Sequence, residues 1–585
     1  MNTHPVHELG TKARVLLSSV FGPFAQDDIF GSRKINPMEL YHNQVTRTQG
    51  VFSLRMFHQS FGLLMIQANM DAPCTLLDFP DLDRFIKEIK HNQYDIVGIS
   101  AIIPNVGKVK KMCELIRTYL PKATIVVGGH VANLAGLDEI ISADYIVKGD
   151  GVRWFRTFLG QDENAPIRHP AAYSATSARI VGHTLRNKKG DTAAIVIPSV
   201  GCPMGCNFCS TSALFGGKGK FINFYETGDE LFSVIVQLEK KLKTKSFFIL
   251  DENFLLHKKR ALRLLELMEE HGKSWSFYVF SSARVLQSYT IEQLVSLGIS
   301  WVWMGLEGQD SQYRKLDGVD THSLVKFLQS HGIRVLGSSI IGLENHTSDN
   351  IEQIIDYAVS HNTVFHQFML YTANPGTPLH EELKNNGRLL SEKEFSLADA
   401  HGQFRFNHRH PHFSGHQEEQ LLLDAFNRDF EINGPSLYRL IQTMLQGWQR
   451  YKNNPNPRIQ ARYAREVEPL RTTYAGAIWA MTKWYRHDKQ MVQKMRALLI
   501  ELYKTFGIVT RIITPLIGRY ALSAMKKEEK RMANGWNSEP VTSYEKHIDF
   551  AVAEDGNFQK ASHISPFLSE EIAGKYVPAL AENRL

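Results

Sequence analysis

The chain has 585 residues, 43% hydrophobic and 22% charged, which excludes a disordered or fibrous protein and calls for three or four domains rather than one core. Its five cysteines, three of them between residues 202 and 209, exclude a disulfide framework and point to a reducing, cytoplasmic setting. The formal net charge of +7 is uneven: residues 436–534 hold 19 Lys and Arg against six Asp and Glu, so the remainder of the chain is net acidic.

Residues 1–8 show no basic start followed by an apolar core, so no signal peptide is expected. Strand-like runs at 13–17, 74–78, 94–100, 123–129 and 144–148 alternate with helical periodicity, as in Leu82, Phe85, Ile86 and Ile89 and again in Val109, Met112, Leu115 and Ile116. This alternation predicts a doubly wound, flavodoxin-like parallel sheet over residues 1–160, with ligands beyond the carboxyl ends of its strands. Ser100, Gly128, Gly129, His130, Gly149 and Gly151 fall at those ends. The connection 21–59 is longer than such loops normally are, and a lid is one use for it. Cys74 and Cys113 read as buried fillers.

A linker is expected at 161–191. Apolar runs then recur at 193–200, 246–251, 275–281, 300–306, 334–341 and 364–371, with helical stretches such as 231–242 and 259–271 between them. Six β/α units predict a partial (β/α)6 barrel over 192–400, with its chemistry at the C-terminal strand ends. The first run leads into Cys202, Cys206 and Cys209, spaced C-x3-C-x2-C. No fourth ligand follows at zinc-finger distance. Three thiolates suit an iron–sulfur cube with one iron open, and Gly201 and Gly205 let the backbone wrap around it.

With Phe208 as its aromatic, this C-x3-C-x-aromatic-C segment resembles the signature of radical S-adenosylmethionine (SAM) enzymes. The resemblance implies that Cys202, Cys206 and Cys209 hold a [4Fe-4S] cluster whose open iron chelates SAM, and that reductive cleavage of SAM gives a 5′-deoxyadenosyl radical. It places Asp251, Glu252 and Asn253 where the family holds the methionine amino group. Ser282 and Arg284 follow the third strand, where a guanidinium suits the SAM carboxylate. Glu307, in Gly305-Leu306-Glu307-Gly308, resembles the family's Gly-x-Glu. Residues 337–342, with Ile340 and Gly342, resemble the Gly-x-Ile-x-Gly strand that flanks adenine. Asn374-Pro375-Gly376-Thr377-Pro378-Leu379 matches the Pro-Gly-Thr-Pro-Leu of relatives that carry a cobalamin domain. Residues 1–160 in turn resemble that cobalamin-binding domain, in which Ser100, Gly128-Gly129-His130 and Gly149-Asp150-Gly151 would pass close to the corrin and its tail. One departure is the missing Asp-x-His-x-x-Gly after the first strand, which implies cobalt without a lower histidine ligand.

Residues 401–585 are expected to form a mainly helical domain. His401, His408, His410, His412 and His416 allow either a metal site or a polar wall. The helical faces of Leu437, Leu440, Ile441, Met444, Leu445 and Trp448, and of Met491 to Phe506, read either as core with a solvated rim or as a basic aromatic face on an anionic membrane. The apolar stretch 506–522 is broken by Arg511, Pro515 and Arg519 and does not span a bilayer. No nucleic-acid motif accompanies the charge, and the last ~40 residues read as peripheral.

The resemblance therefore implies a cobalamin-dependent radical SAM enzyme that takes hydrogen from an unactivated carbon and transfers a methyl group from methylcobalamin. The substrate is expected to be a small or lipid-like molecule, such as a hopanoid or fatty acyl chain. An external flavodoxin- or ferredoxin-type protein would donate the electron, and the location would be cytoplasmic with peripheral contact at the inner membrane surface. One alternative keeps both cofactors but cyclises, couples or oxidises without methyl transfer. A lesser one is a non-enzymatic cobalamin-responsive binding protein.

Overall fold

Aliphatic runs alternating with amphipathic helices build two parallel sheets, each within its own compact unit. The computed structural model describes residues 5–22, 30, 39–175, 177–185, 192–308, 313–316, 318–415, 417–534, 544–549 and 561–565. The first unit comprises Met1–Met38, Gln59–Pro170 and Ser538–Leu585; the second comprises Glu39–His58 and Ala171–Asn537.

In the first unit β1 (Val15–Ser19), β2 (Cys74–Asp78), β3 (Ile96–Ser100), β4 (Thr124–Gly128) and β5 (Tyr145–Ile146) lie in the order β2-β1-β3-β4-β5, all parallel. β1 and β2 are buried along their whole length, as continuous aliphatic strands between two helix layers should be. An antiparallel strand, Tyr544–Asp549, pairs with the outer edge of β2, and Ala561–Ser565 pairs with it in turn. The C-terminal residues expected to be peripheral thus include two strands of this sheet.

The second unit holds β6 (Ala194–Val196), β7 (Ser246–Ile249), β8 (Ser276–Ser281), β9 (Ile299–Glu307), β10 (Arg334–Ile341) and β11 (Phe365–Leu370), each parallel to the next. This is the expected six-strand winding. Alternate residues sort to opposite faces. Phe277, Val279, Val302 and Met304 pack in one core with Leu231, Ile235 and Leu238 of a helix at Gly228–Leu242 and Leu264 and Met268 of another at Lys258–Glu270. Each fully buried side chain of this size contributes about 1.5–3 kcal/mol relative to exposure.

Residues 39–58 pack in the second unit, although they precede most of the first sheet in sequence. Helix α1 (Leu40–Gln44) lies on the other sheet face, with Tyr41 Oη 3.4 Å from Tyr278 Oη and Gln44 Oε1 accepting from Gln367 Nε2 at 3.0 Å. It packs on Leu336, Val364 and Phe365 at the strands' lower half, with Trp301 and Trp303 beside it, so this part of 21–59 is a plug below the strand ends and not a lid over them. Within the expected linker 161–191, Ser177–Ile180 and His183–Leu185 form an antiparallel sheet with Arg55–Phe57.

The C-terminal helices belong to the same unit as the barrel. α2 (Glu418–Asn433) and α3 (Ser436–Tyr451) are joined by a buried Arg439–Asp429 pair at 2.7 Å. α4 (Pro457–Glu466) clasps the N-terminal rim of the barrel: Arg458 donates to Lys273 O, Arg462 to Ile299 O and Arg465 to Ser274 O, while Glu466 accepts from Ser276 and pairs with Arg334 at 2.9 Å. Part of the basic excess is thus internal. α5 (Thr473–Trp484) packs against α6 (Lys489–Ala533), which breaks at Gly507.

Candidate active site

The cysteine loop leaves β6 through Ser199–Val200 and ends on a short helix, Ser210–Leu214. Cys209 caps that helix, its Sγ accepting from Ser212 N at 3.5 Å, and Ser212 Oγ donates to Cys202 O at 3.0 Å. Gly205 has φ +66°, and a Cβ there would sit 2.5 Å from Lys218 Cβ, so only glycine closes the loop. Burial pushes the Cys202 thiol up to about 11 and raises Cys206 and Cys209 as well; Lys315 opposes the rise at the latter two. Among the described residues no three His, Cys, Asp or Glu side chains converge as ligands of a single ion. Three thiols spread along one loop suit a polynuclear group.

The loop is clamped from the far end of the barrel. Tyr313 Oη donates to Asn207 Oδ1 at 3.2 Å, Asn207 Nδ2 donates to Tyr371 Oη at 3.3 Å, and Leu379 N donates to Asn207 O at 3.0 Å. Phe208 lies edge-on to Tyr313 and Tyr371, at 5.1 and 6.2 Å. The segment 374–379 therefore holds the cysteine loop through its backbone, while Thr377 caps the helix Pro378–Asn385.

The strand ends beside the loop divide the expected SAM residues by their surroundings. Asp251 is buried and engaged by Arg260, Ser199 and the Asn253 amide. Asn253 bonds the next strand end, Oδ1 accepting from Ser281 Oγ at 3.2 Å and Ser282 N at 3.3 Å. Glu252 differs: burial pushes its carboxyl up to about 7, Gly201 N–H donates to it, and its buried Oε2 has no partner. Cys202 feels its charge. Arg284 is exposed and makes no ion pair among the described residues.

Glu307 ends β9 at φ +54°, beyond a register shift after Gly305, and is paired with Lys315. Burial would lower Lys315, but Glu307 and then Cys206 outweigh it and hold it above its usual value. Its Nζ also lies 5.7 Å from the Phe208 ring centre. Ile340 is buried beside Tyr313 and Tyr371. Gly342 N–H donates to His346 Nδ1 at 3.1 Å, which leaves the proton on Nε2, a buried atom without a partner beside Gly308. Sequence reasoning missed Lys315, Tyr313 and His346, since none stands in a motif or at a regular spacing. Of the histidine-rich stretch, His408 and His410 pack around Phe406; His416 lies outside the described residues.

In the first unit Ser100, Gly128, Gly129, His130, Gly149 and Gly151 do gather at the carboxyl ends of β3, β4 and β5. Gly129, at φ +83°, approaches so closely that a Cβ would lie 2.6 Å from Ala101 O and 2.9 Å from Ser100 Oγ. Asp150 caps the following helix, accepting from Val152 N and Arg153 N at 3.0 Å. Small residues at a topological switch suit a flat ring system.

Residues 48–159 match the B12 binding domain family, and residues 196–358 match the radical SAM superfamily. It is a cobalamin-binding radical SAM enzyme. Such an enzyme takes a [4Fe-4S] cluster and SAM in the second match and cobalamin in the first, which removes the reading as a non-enzymatic binding protein. Similar proteins include an uncharacterized methyltransferase of Pyrococcus horikoshii, 25% identical over 60% of this chain and 81% of its own. The bacteriochlorophyllide d C-8(2)-methyltransferase of Chlorobaculum tepidum is 24% identical over 58% and 78%. The anaerobic magnesium-protoporphyrin IX monomethyl ester cyclase of Rubrivivax gelatinosus is 24% identical over 54% and 63%.

Proposed function

We propose that this radical SAM enzyme transfers a methyl group to an unactivated carbon of a bulky, apolar, lipid-like substrate. The observation that carries the substrate class is the aromatic sheet face opposite the helices. Phe248 stacks on Tyr278 at 4.4 Å, Phe280 on Trp303 at 5.1 Å and Trp301 on Phe365 at 5.5 Å. Tyr278, Phe280, Trp301 and Trp303 remain only half-buried, even though α1 packs beside Trp301, Trp303 and Phe365 at the lower end of this face. Flat rings of this size favour extended apolar or polycyclic molecules over small polar ones.

Three thiols on one glycine-closed loop, beside an orphaned buried carboxylate oxygen, fit the cluster and its SAM. When bound, these groups and cobalamin supply hydrogen abstraction and methyl transfer, with the electron coming from a flavodoxin- or ferredoxin-type donor. The chain's own part is to bind and orient. Cys202, Cys206 and Cys209 hold the cluster, and Glu252 receives the SAM ammonium on its unpartnered oxygen. Arg284 takes the carboxylate, and Ile340 and Gly342 flank adenine. Asp251 and Asn253 fix the loop that carries Glu252, Lys315 orients Glu307, and Phe208, Tyr313 and Tyr371 exclude water from the cysteine loop. Ser100, Gly128, Gly129, His130, Gly149 and Gly151 cradle the corrin.

Glu252→Gln is expected to raise the SAM dissociation constant on the order of 10–100-fold, the loss of one charged hydrogen bond, without altering the cluster absorption. An unchanged constant in anoxic equilibrium binding removes Glu252 from the site. For the reaction, anoxic enzyme given cobalamin, methyl-labelled SAM and an apolar extract of the source cells should place label in an apolar product. An unlabelled but modified product would favour cyclisation or oxidation, a reading that the likeness to the cyclase supports.

A further inference from the structure

The outer face of α6 beyond Gly507 carries none of the residues assigned to the reaction. Ile508, Val509, Ile512, Leu516 and Tyr520 are each 62–69% exposed. Their spacing puts them on one arc of the helix, about 18 Å long at ~1.5 Å per residue. The opposite face is fixed: Thr510, Thr514, Gly518, Ala521 and Met525 are buried, and Gly518 lies so close to α5 that a Cβ would be 2.3 Å from the Trp479 ring. The helix therefore cannot roll to hide the arc.

The charge around the arc has one sign. Arg511 and Arg519 are exposed and make no ion pair among the described residues. No Asp or Glu occurs between Glu501 and Glu528, and Lys526 and Lys527 continue the basic run. Among the described residues no helix is long and apolar enough to cross a membrane. A two-fold contact between copies would set Arg511 and Arg519 of each against those of the other with no carboxylate to answer them.

We propose that this face docks on an anionic lipid surface, with Ile508, Val509, Ile512, Leu516 and Tyr520 in the acyl boundary and Arg511 and Arg519 at the headgroup phosphates. The inference is independent of the reaction and of the residues assigned to it.

The test is anoxic co-sedimentation of the holoenzyme with phosphatidylglycerol/phosphatidylcholine vesicles and with phosphatidylcholine alone. The wild type should bind the anionic vesicles and release in high salt. Ile512→Glu with Leu516→Glu, and separately Arg511→Ser with Arg519→Ser, should weaken binding at least about tenfold at unchanged melting temperature and cluster absorption. Ile508→Ser serves if the glutamate pair melts early, since Tyr520 also stacks on His183. Failure of the wild type to bind anionic vesicles, or binding that both pairs leave intact, overturns the proposal. So does a wild-type dimer in sedimentation that the glutamate pair splits, which would assign the face to a second copy.

Discussion

Cys202→Ala is expected to leave a folded protein that neither keeps a full complement of iron nor cleaves SAM above background. The three thiols share one loop held by its own backbone: Cys209 Sγ accepts from Ser212 N, the Cys202 carbonyl accepts from Ser212 Oγ, and the Cys206 carbonyl accepts from Cys209 N. Removing one leaves two ligands where the chemistry needs three. The clamp through Asn207, Tyr313 and Tyr371 does not involve the Cys202 side chain, so the melting temperature of the metal-free chain should hardly move. Cys74→Ala with Cys113→Ala is the control: both are buried within the first unit, with Cys113 pushed up to about 12 by burial, and the pair should retain its iron. Iron and sulfide analysis of anoxic Cys202→Ala showing wild-type content would sink the assignment, as would tetrahedral zinc in the wild type.

Arg260→Met should destabilise the second unit by about 3–5 kcal/mol, because it strands the Asp251 carboxylate in the interior. Both partners are almost fully buried, 2% and 3% exposed, and the remaining neighbours, Ser199 and a backbone amide, carry no charge. In thermal unfolding this amounts to a fall on the order of 10 °C. Adding Asp251→Asn should recover part of the loss, since the buried charge is then gone. Arg263→Met, one turn away on an exposed face beside Asp229 and Glu266, should leave no measurable change. A fall no larger for Arg260 than for Arg263 would mean that Asp251 is solvated, and would free it for direct contact with SAM.

The cysteine loop and the strand ends were legible because their chemistry is written locally: three thiols need short spacing, and a strand end needs only an aliphatic run and a turn. Lys315 was not, because its partner Glu307 stands in a different segment and gives a lysine no sequence signal. The placement of 39–58 was hidden for another reason. Tyr41 and Gln44 meet Tyr278 and Gln367, partners far along the chain that no periodicity reveals. Charge misled in part: the Lys/Arg excess of 436–534 is real, yet Arg439, Arg458 and Arg462 point inward to carboxylates and carbonyls, and only the stretch after Gly507 carries basic residues beside an open apolar arc.

The interleaved order of segments has a consequence for how the protein is made. Strand β2 leaves the ribosome hundreds of residues before the strand that covers its outer edge, Tyr544–Asp549. At about 5–20 residues per second, roughly 20–90 s pass with that edge open to any other extended chain. Over much of the same interval α1 waits for β11. Nascent polypeptides of this length, and fragments cut near residue 160, should therefore be the most aggregation-prone and chaperone-dependent forms of the chain.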